Sequence, residues 1–283
     1  MSNKCNFVRV MKDEKFIDIE KLIASKNPKA LKRMPRVLIK YLKRILNQDK
    51  INAFILANKD KKNGDWCQAV VEYMNITVDV KNLENIPKDG KIVIAMNHPL
   101  GGMDAMILVS ALRGHREDLK FIVNDLLLGL ENMQEMFVGV NKHGKTKGSI
   151  RDQVSELFKS KEAVCIFPAG LVSRKQKKEI KDLIWKKTFV SYSKEFDRTI
   201  VPIYIDGALS NFFYRLSLFR KSLGIKANIE MLYLSNELFK QRNKHMKLVV
   251  GKPIKKSFLM KNKNDNELAE LIKEQVYELR NEL

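Results

Sequence analysis

Val93-Ile-Ala-Met-Asn-His-Pro-Leu-Gly-Gly-Met-Asp104 is the segment from which the fold can be read. Its first four residues are apolar, with two β-branched members at the start. Such a short continuous run reads as a strand buried on both faces, and strands of that kind belong to parallel sheets covered by helices. Pro99, Gly101 and Gly102 then impose a tight turn, and Met103 to Leu112 return to helical spacing. The segment is one strand–turn–helix unit.

The same rhythm extends in both directions. Upstream lie a helical stretch at Trp66–Met74 and β-rich runs at Thr77–Val80 and Lys91–Met96. Downstream come strands at Lys120–Val123 and Met136–Val140, a helix from Gly148 to Ser160, a strand at Ala163–Phe167, a helix over Leu183–Phe196 and a strand at Thr199–Ile205. A last strand near Met246–Gly251 and a charged helix over Asp265–Leu283 close the chain. This alternation predicts an α/β fold: a mixed, mostly parallel central sheet flanked by helices. The division expected is a helical N-terminal segment over residues 1–75 and an α/β domain over residues 76–283.

The N-terminal segment is strongly basic. One helix is predicted from Pro28 to Leu46, with Leu31, Met34, Leu38, Tyr41, Leu42 and Ile45 on a single stripe. Between Lys26 and Lys50 there are nine basic residues and one acid, Asp49. An amphipathic helix with a cationic outer face reads as a membrane-surface element, and equally as a surface helix laying its stripe on the core.

Composition agrees with a folded chain that seeks an anion. The 283 residues are 45% hydrophobic and 30% charged, which excludes disordered, collagen-like and coiled-coil classes. Lys+Arg number 53 against Asp+Glu 33, a net charge of +20, with a pI near 9.7. Nucleic acid, anionic lipid and acidic carrier proteins all answer that charge. No nucleic-acid recognition motif is present, and the first strands lack the interleaved aromatics that stack bases, so nucleic acid is the poorer partner. The most apolar long stretch, Ile92 to Leu112, is broken by His98 and Asp104 and does not read as a membrane span. Met1 to Lys15 lacks a signal-peptide core. Cys5, Cys67 and Cys165 have no partners at metal-ligand spacing. The expectation is a cytoplasmic chain, peripheral on the inner face of the membrane, with no metal and no bound cofactor.

Candidate chemistry sits where strands end in polar loops. His98 follows its strand at once, and Asp104, at the start of the next helix, is placed to accept from the imidazole and fix its tautomer. Asp104 as a simple helix cap and His98 as a turn residue is the other reading of the same pair. A second junction, Val164-Cys-Ile-Phe-Pro-Ala-Gly-Leu-Val-Ser-Arg174, runs a strand into a Pro-Ala-Gly turn and a basic cluster. Turn amides with Arg174 would suit a phosphate or carboxylate. Two further loops follow Val140 and Ile205, and four loops on one sheet edge imply one cleft.

Taken in order, Asn97-His98-Pro99 with its downstream aspartate, Phe167-Pro168-x-Gly170, Val201-Pro202-Ile203 and Val250-Gly251-Lys252-Pro253-Ile254 resemble the lysophospholipid acyltransferases of the 1-acylglycerol-3-phosphate type, over about Thr77 to Ile254. The resemblance implies transfer of a fatty acyl chain from acyl-carrier protein or acyl-CoA to the hydroxyl of a lyso-lipid. His98 would be the general base and Asp104 its orienting partner, with Asn97, Gly101, Gly102, Lys142, Lys145, Phe167, Pro168, Gly170, Ser173 and Arg174 about the substrate. The residues agree that no covalent acyl-enzyme is needed, because there is no Gly-x-Ser-x-Gly elbow.

Three departures stand out. Five residues, Pro99 to Met103, separate His98 from Asp104 where the family usually has four. Ala169 stands where the family's Phe-Pro-Glu-Gly carries a carboxylate. Near Val140 no arginine matches the family's phosphate ligand, and Asn141, Lys142, His143 and Lys145 are what remains. These features resemble the hemolysin-like members, among them enzymes acylating lyso-ornithine and related amino-acid lipids, which makes an acceptor carboxylate a suitable partner for Arg174. A catalytically silent lipid-binding relative and a basic nucleic-acid-binding protein are the alternatives.

Overall fold

The computed structural model describes residues 15–123, 125–139, 147–261 and 264–283. In chain order the N-terminal region forms α1 (Ile19–Lys26), α2 (Pro28–Arg33), α3 (Arg36–Ile45), α4 (Gln48–Ala57) and α5 (Asn63–Tyr73). There follow β1 (Thr77–Lys81), β2 (Ile92–Met96), α6 (Gly102–Ala111), β3 (Leu119–Val123), α7 (Asp125–Leu128), β4 (Phe137–Gly139), α8 (Lys147–Lys159) and β5 (Ala163–Ile166). The remainder comprises β6 (Arg174–Gln176), β7 (Glu179–Lys181), α9 (Thr188–Glu195), β8 (Thr199–Ile205), α10 (Asn211–Ser222), α11 (Leu234–Phe239), β9 (His245–Val250), α12 (Lys256–Lys261) and α13 (Asp265–Glu278).

Seven strands form one sheet in the order β1-β9-β8-β2-β5-β3-β4. All neighbours pair in parallel except β8 with β9, so β4, β3, β5, β2 and β8 share a direction and end at one edge. The sheet is thus mixed and mostly parallel, as the sequence rhythm predicts.

Strand periodicity divides the core. Along β2, Ile92, Ile94 and Met96 enter one apolar layer and Val93 and Ala95 the other. Val201, Ile203 and Ile205 of β8 join the first, whereas Ile200 and Tyr204 join the second. The first layer is closed by α5 and α6 through Trp66, Cys67, Val70, Met103 and Ile107; the second by α8, α9 and α13 through Phe158, Phe189, Leu268 and Ile272. Helices on both faces are what a strand buried on both faces requires. From Asn63 onward, the helical N-terminal region is therefore part of the core of the α/β unit.

Three local expectations are corrected. The helix expected from Pro28 to Leu46 is two helices, because Pro35 has no N–H to offer and holds Met34 in an extended conformation (φ −76°, ψ 126°). The helix expected over Leu183–Phe196 begins only at Thr188. Ahead of it the backbone is spent on tertiary bonds, with the Trp185 N–H donating to Glu270 and the Lys186 N–H to the Pro168 carbonyl. The basic cluster after Ser173 is an antiparallel hairpin, β6 with β7, turned at a left-handed Lys177 (φ 53°). Among the described residues, no helix is long and apolar enough to cross a membrane.

Candidate active site

β2 lies between β8 and β5, and the residues following all three meet at the shared strand edge. Asn97 fixes that meeting. Its side-chain amide donates to the Ile205 carbonyl (2.9 Å) and accepts from the Ile205 N–H (2.7 Å), splicing the end of β2 to the end of β8. Both of its polar atoms are thereby used on the backbone, and the side chain is buried.

One residue later the chain turns out of the sheet. Gly101 has φ +74°, a region that favours glycine, and a Cβ there would be in ordinary contact with Val172 and Leu234, so it is the backbone conformation that calls for glycine. The turn brings Asp104, in the first turn of α6, back beneath His98: Nδ1 lies 2.9 Å from Oδ2. The extra residue is absorbed because the Leu100 N–H also donates to the Asp104 carboxylate, at 3.0 and 3.2 Å to its two oxygens. Asp104 is wholly buried, whereas the His98 side chain is 17% exposed. Burial pushes the Asp104 carboxyl up from its ordinary range, and the His98 ring and the Leu100 N–H oppose that rise. An ionised Asp104 can only accept, so it holds the hydrogen on Nδ1 and leaves Nε2 with a free lone pair.

The second motif supplies the wall. Phe167, just past β5, stacks on the His98 ring with centroids 4.1 Å apart and planes 27° from parallel. Pro168 is buried and Gly170, at φ +68°, turns the chain, with its N–H on the Phe167 carbonyl at 2.9 Å. A Cβ on Gly170 would stand 3.3 Å from the Lys186 ammonium, so an exposed cation borders this turn. Ala169 is buried in the apolar layer beside the sheet.

Ser173 is tied to the His98 turn twice, once directly and once through Asp182. Its N–H donates to the His98 carbonyl (2.8 Å), and its Oγ donates to Asp182 Oδ1 (2.6 Å), which also accepts the His98 N–H at 3.2 Å. Asp182 is fully buried and takes a further bond from Trp185 Nε1 at 2.9 Å, while its own N–H donates to the Tyr277 hydroxyl at 2.7 Å. Sequence reading missed Asp182, because its partners include His98 and Tyr277, far away in the chain, and no local pattern marks it. Arg174 is close to this network but turned away. It is buried, its guanidinium donates to the Val172 carbonyl (2.8 Å) and to Glu230 (3.1 Å), and Glu230 also receives Arg220 at 2.8 Å. Burial pulls the Arg174 guanidinium down, with Glu230 opposing. In this arrangement its fork is filled by the protein, so it braces the segment around Glu230. Gly102 opens α6 with free space above its Cα. Lys142 and Lys145, with His143, lie outside the described residues. Among the described residues no cluster of three His, Cys, Asp or Glu is placed to hold a metal. Cys67 and Cys165 are buried, and burial pushes the Cys67 thiol up to about 12 and the Cys165 thiol up as well, so neither is a ready nucleophile.

The arrangement is thus a histidine whose Nδ1 meets a buried carboxylate at the C-terminal edge of the parallel strands. Residues 21–283 match the family model described as Acyltransferase. The chain is 42% identical over 264 residues to the lyso-glycine lipid O-acyltransferase of Bacteroides thetaiotaomicron, covering 93% of this chain and 97% of that one. It is equally 42% identical to the lyso-glycine lipid O-acyltransferase of Phocaeicola vulgatus, covering 93% and 95%. Among solved structures it is similar to the 1-acyl-sn-glycerophosphate acyltransferase PlsC of Thermotoga maritima, with TM-score 0.48, 17% identity and coverage of 87% of this chain and 98% of that one. On the extent of the family match and of these two relatives, the chain belongs to the lysophospholipid acyltransferase family and is an acyltransferase.

Proposed function

We propose that the chain esterifies the free hydroxyl of a lyso-lipid whose headgroup carries an amino acid, as the names of the Bacteroides and Phocaeicola relatives indicate for those proteins. The observation that supports it most is the His98–Asp104 contact at the sheet edge, reached in spite of the lengthened turn, in a chain so close to those relatives along almost its whole length. His98 Nε2 takes the proton of the acceptor hydroxyl as its oxygen attacks the thioester carbonyl of an acyl-carrier-protein or CoA donor. The C–O bond forms, the tetrahedral adduct collapses, the C–S bond breaks, and the departing thiolate recovers the proton from the imidazolium. Asp104 keeps the Nδ1 hydrogen in place and stabilises the cation that forms. Phe167 holds the ring plane by stacking.

A headgroup carboxylate needs a cation. Lys186 beside the Gly170 turn is available, with Lys142 and Lys145, which follow β4 in the sequence, as further candidates. The acceptor is a membrane lipid, and the basic face of α2 and α3 carries the chain on the anionic inner surface of the membrane.

The test is in vitro acyl transfer with purified chain, lyso-glycine lipid or lysophosphatidic acid as acceptor, and acyl-carrier-protein or CoA thioesters as donors. Turnover of the amino-acid lyso-lipid, reduced by about 10²–10⁴-fold in His98→Ala, is the expected result. Vesicle binding without turnover by wild type would instead make the chain a silent lipid-binding relative, and equal turnover in His98→Ala would remove the base mechanism.

A further inference from the structure

Residues Gly207 to Ile229 carry four basic residues, Arg215, Arg220, Lys221 and Lys226, and no acid. Their centre is α10. Its inner face is spent on the core through Phe213 and Tyr214, and Arg220 is paired with buried Glu230. Its outer face carries Phe212, Leu218, Phe219 and Leu223 into solvent, with Phe219 61% and Leu223 58% exposed. A helix that already buries one apolar face has no folding reason for a second, so a contiguous exposed stripe marks a contact surface.

The stripe does not end with α10. The Phe212 ring meets Tyr233 edge-on at 5.0 Å, and the Tyr233 hydroxyl is 2.6 Å from that of Tyr41 on α3, a helix that also exposes Val37 and Leu38. Around this apolar centre the exposed charges of both elements are cationic: Arg36, Lys40 and Arg44 from α3, and Arg215, Lys221 and Lys226 from the α10 segment. An apolar middle with a cationic margin matches the boundary between acyl chains and anionic headgroups. A second copy of a chain carrying +20 would set like charges against one another, and a nucleic acid would leave the apolar middle in water.

The inner face of α10 is joined to the segment that follows Ser173. Arg174 next to Ser173 and Arg220 of α10 share Glu230, at 3.1 and 2.8 Å, and Leu234 packs against the Gly101 turn. We propose that the α10 segment, residues 211–228, is a second membrane-contact element that forms one lipid-facing platform with α3. Phe212, Phe219 and Leu223 enter the headgroup boundary, and Arg215, Lys221 and Lys226 meet lipid phosphates. The acceptor then reaches His98 from the membrane side. This rests on the reading of a membrane-lipid acceptor, but its test needs no turnover.

Flotation of the purified full chain with vesicles of phosphatidylethanolamine and phosphatidylglycerol, and with vesicles of phosphatidylcholine, decides it. The double variant Phe219→Glu, Leu223→Glu is expected to bind the anionic vesicles at least about tenfold more weakly than wild type, with an unchanged thermal midpoint because both side chains are exposed. The triple variant Arg215→Gln, Lys221→Gln, Lys226→Gln is expected to lose most of the preference for anionic over zwitterionic vesicles. Two outcomes overturn the proposal. In one, the double variant floats like wild type while Val37→Glu abolishes binding, so the N-terminal helices dock alone. In the other, the double variant floats like wild type but loses a dimer seen by sedimentation, so the stripe joins copies of the chain. Loss of acyl transfer in detergent-dispersed lyso-lipid by wild type would count against the enzymatic reading and leave the flotation result standing.

Discussion

His98 and Asp104 are separated by five residues, and yet Nδ1 and Oδ2 lie 2.9 Å apart, because a left-handed Gly101 and the Leu100 N–H spend the extra residue inside the turn. The local consequence is a buried carboxylate with two jobs, holding the turn and orienting the ring, and the two separate in Asp104→Asn. The amide oxygen can still accept from Leu100, but its NH2 group donates to Nδ1 and moves the ring hydrogen to Nε2, where it blocks proton acceptance. Acyl transfer is expected to fall by about 10²–10⁴-fold. Stability moves the other way. The folded state holds the Asp104 carboxyl above its unfolded value, so its contribution to stability is present below the unfolded pKa and is lost as pH rises through the folded one. The neutral amide escapes that loss, so the thermal midpoint of the variant relative to wild type is expected to increase with pH from about pH 4 upward. Melting curves at several pH values, set beside initial rates, check both signs; a parallel fall in midpoint and rate would reduce Asp104 to a helix cap. This pair was legible in sequence because all its members lie within one strand–turn–helix unit. Asp182 and Glu230 were not, since an acid earns such a place from partners brought by other parts of the chain: His98, Ser173 and Tyr277 for one, Arg174 and Arg220 for the other.

The elements that the sequence indicates well are those whose period is set by burial on both sides, notably β2, β5 and β8, whose apolar runs have no other reading. Those it blurs are the ones governed by competition. Pro35 splits an otherwise continuous stripe, and the residues before Thr188 give up a helical turn for bonds to Glu270 and Pro168. At this scale Arg198, immediately before β8, is the joint between layers. It is fully buried, and its guanidinium donates to the carbonyls of Leu157, Phe158, Ser160 and Glu162 at the end of α8 and beyond it, and of Ile92 at the start of β2. Burial, with Arg116 nearby, pulls its pKa down to about 10, so it remains charged at neutral pH. The carbonyls around the end of α8 sit where the helix is running out of intrahelical donors, and that of Leu157 also accepts from the Ser160 N–H (3.2 Å) and hydroxyl (2.9 Å). Arg198→Met is therefore expected to cost about 3–5 kcal/mol, at about 1 kcal/mol net for each of the bonds lost, read as a lower denaturation midpoint at unchanged slope. Arg198→Lys keeps the charge with fewer donors in a different geometry and should recover only part of it. A loss under 1 kcal/mol would mean that water or a shifted helix end satisfies the carbonyls.

Across the whole molecule, topology and charge act on the same encounter. Five strands of one direction end at one edge, which concentrates the loops of β2, β5 and β8 around His98, and the antiparallel pairing of β8 with β9 within the seven-stranded sheet places β9 and β1 outside that cluster. The chain's charge of +20 adds a field that favours encounter with anionic partners. Such a field acts on association more than on the bond-making step, because the His98–Asp104 contact is buried and hardly screened while the surface charges are separated from their targets by solvent. Raising ionic strength from about 0.1 to 1 M shortens the screening length from about 10 to about 3 Å. The rate at limiting acceptor in anionic vesicles is accordingly expected to fall by about tenfold or more, and the rate at saturating acceptor to change by less than about twofold. Initial rates measured at both salt concentrations and both acceptor levels separate the two terms. A fall of the same size at saturation would place the salt-sensitive charge inside the reaction itself, and Lys186 beside the Gly170 turn would be the first residue to replace.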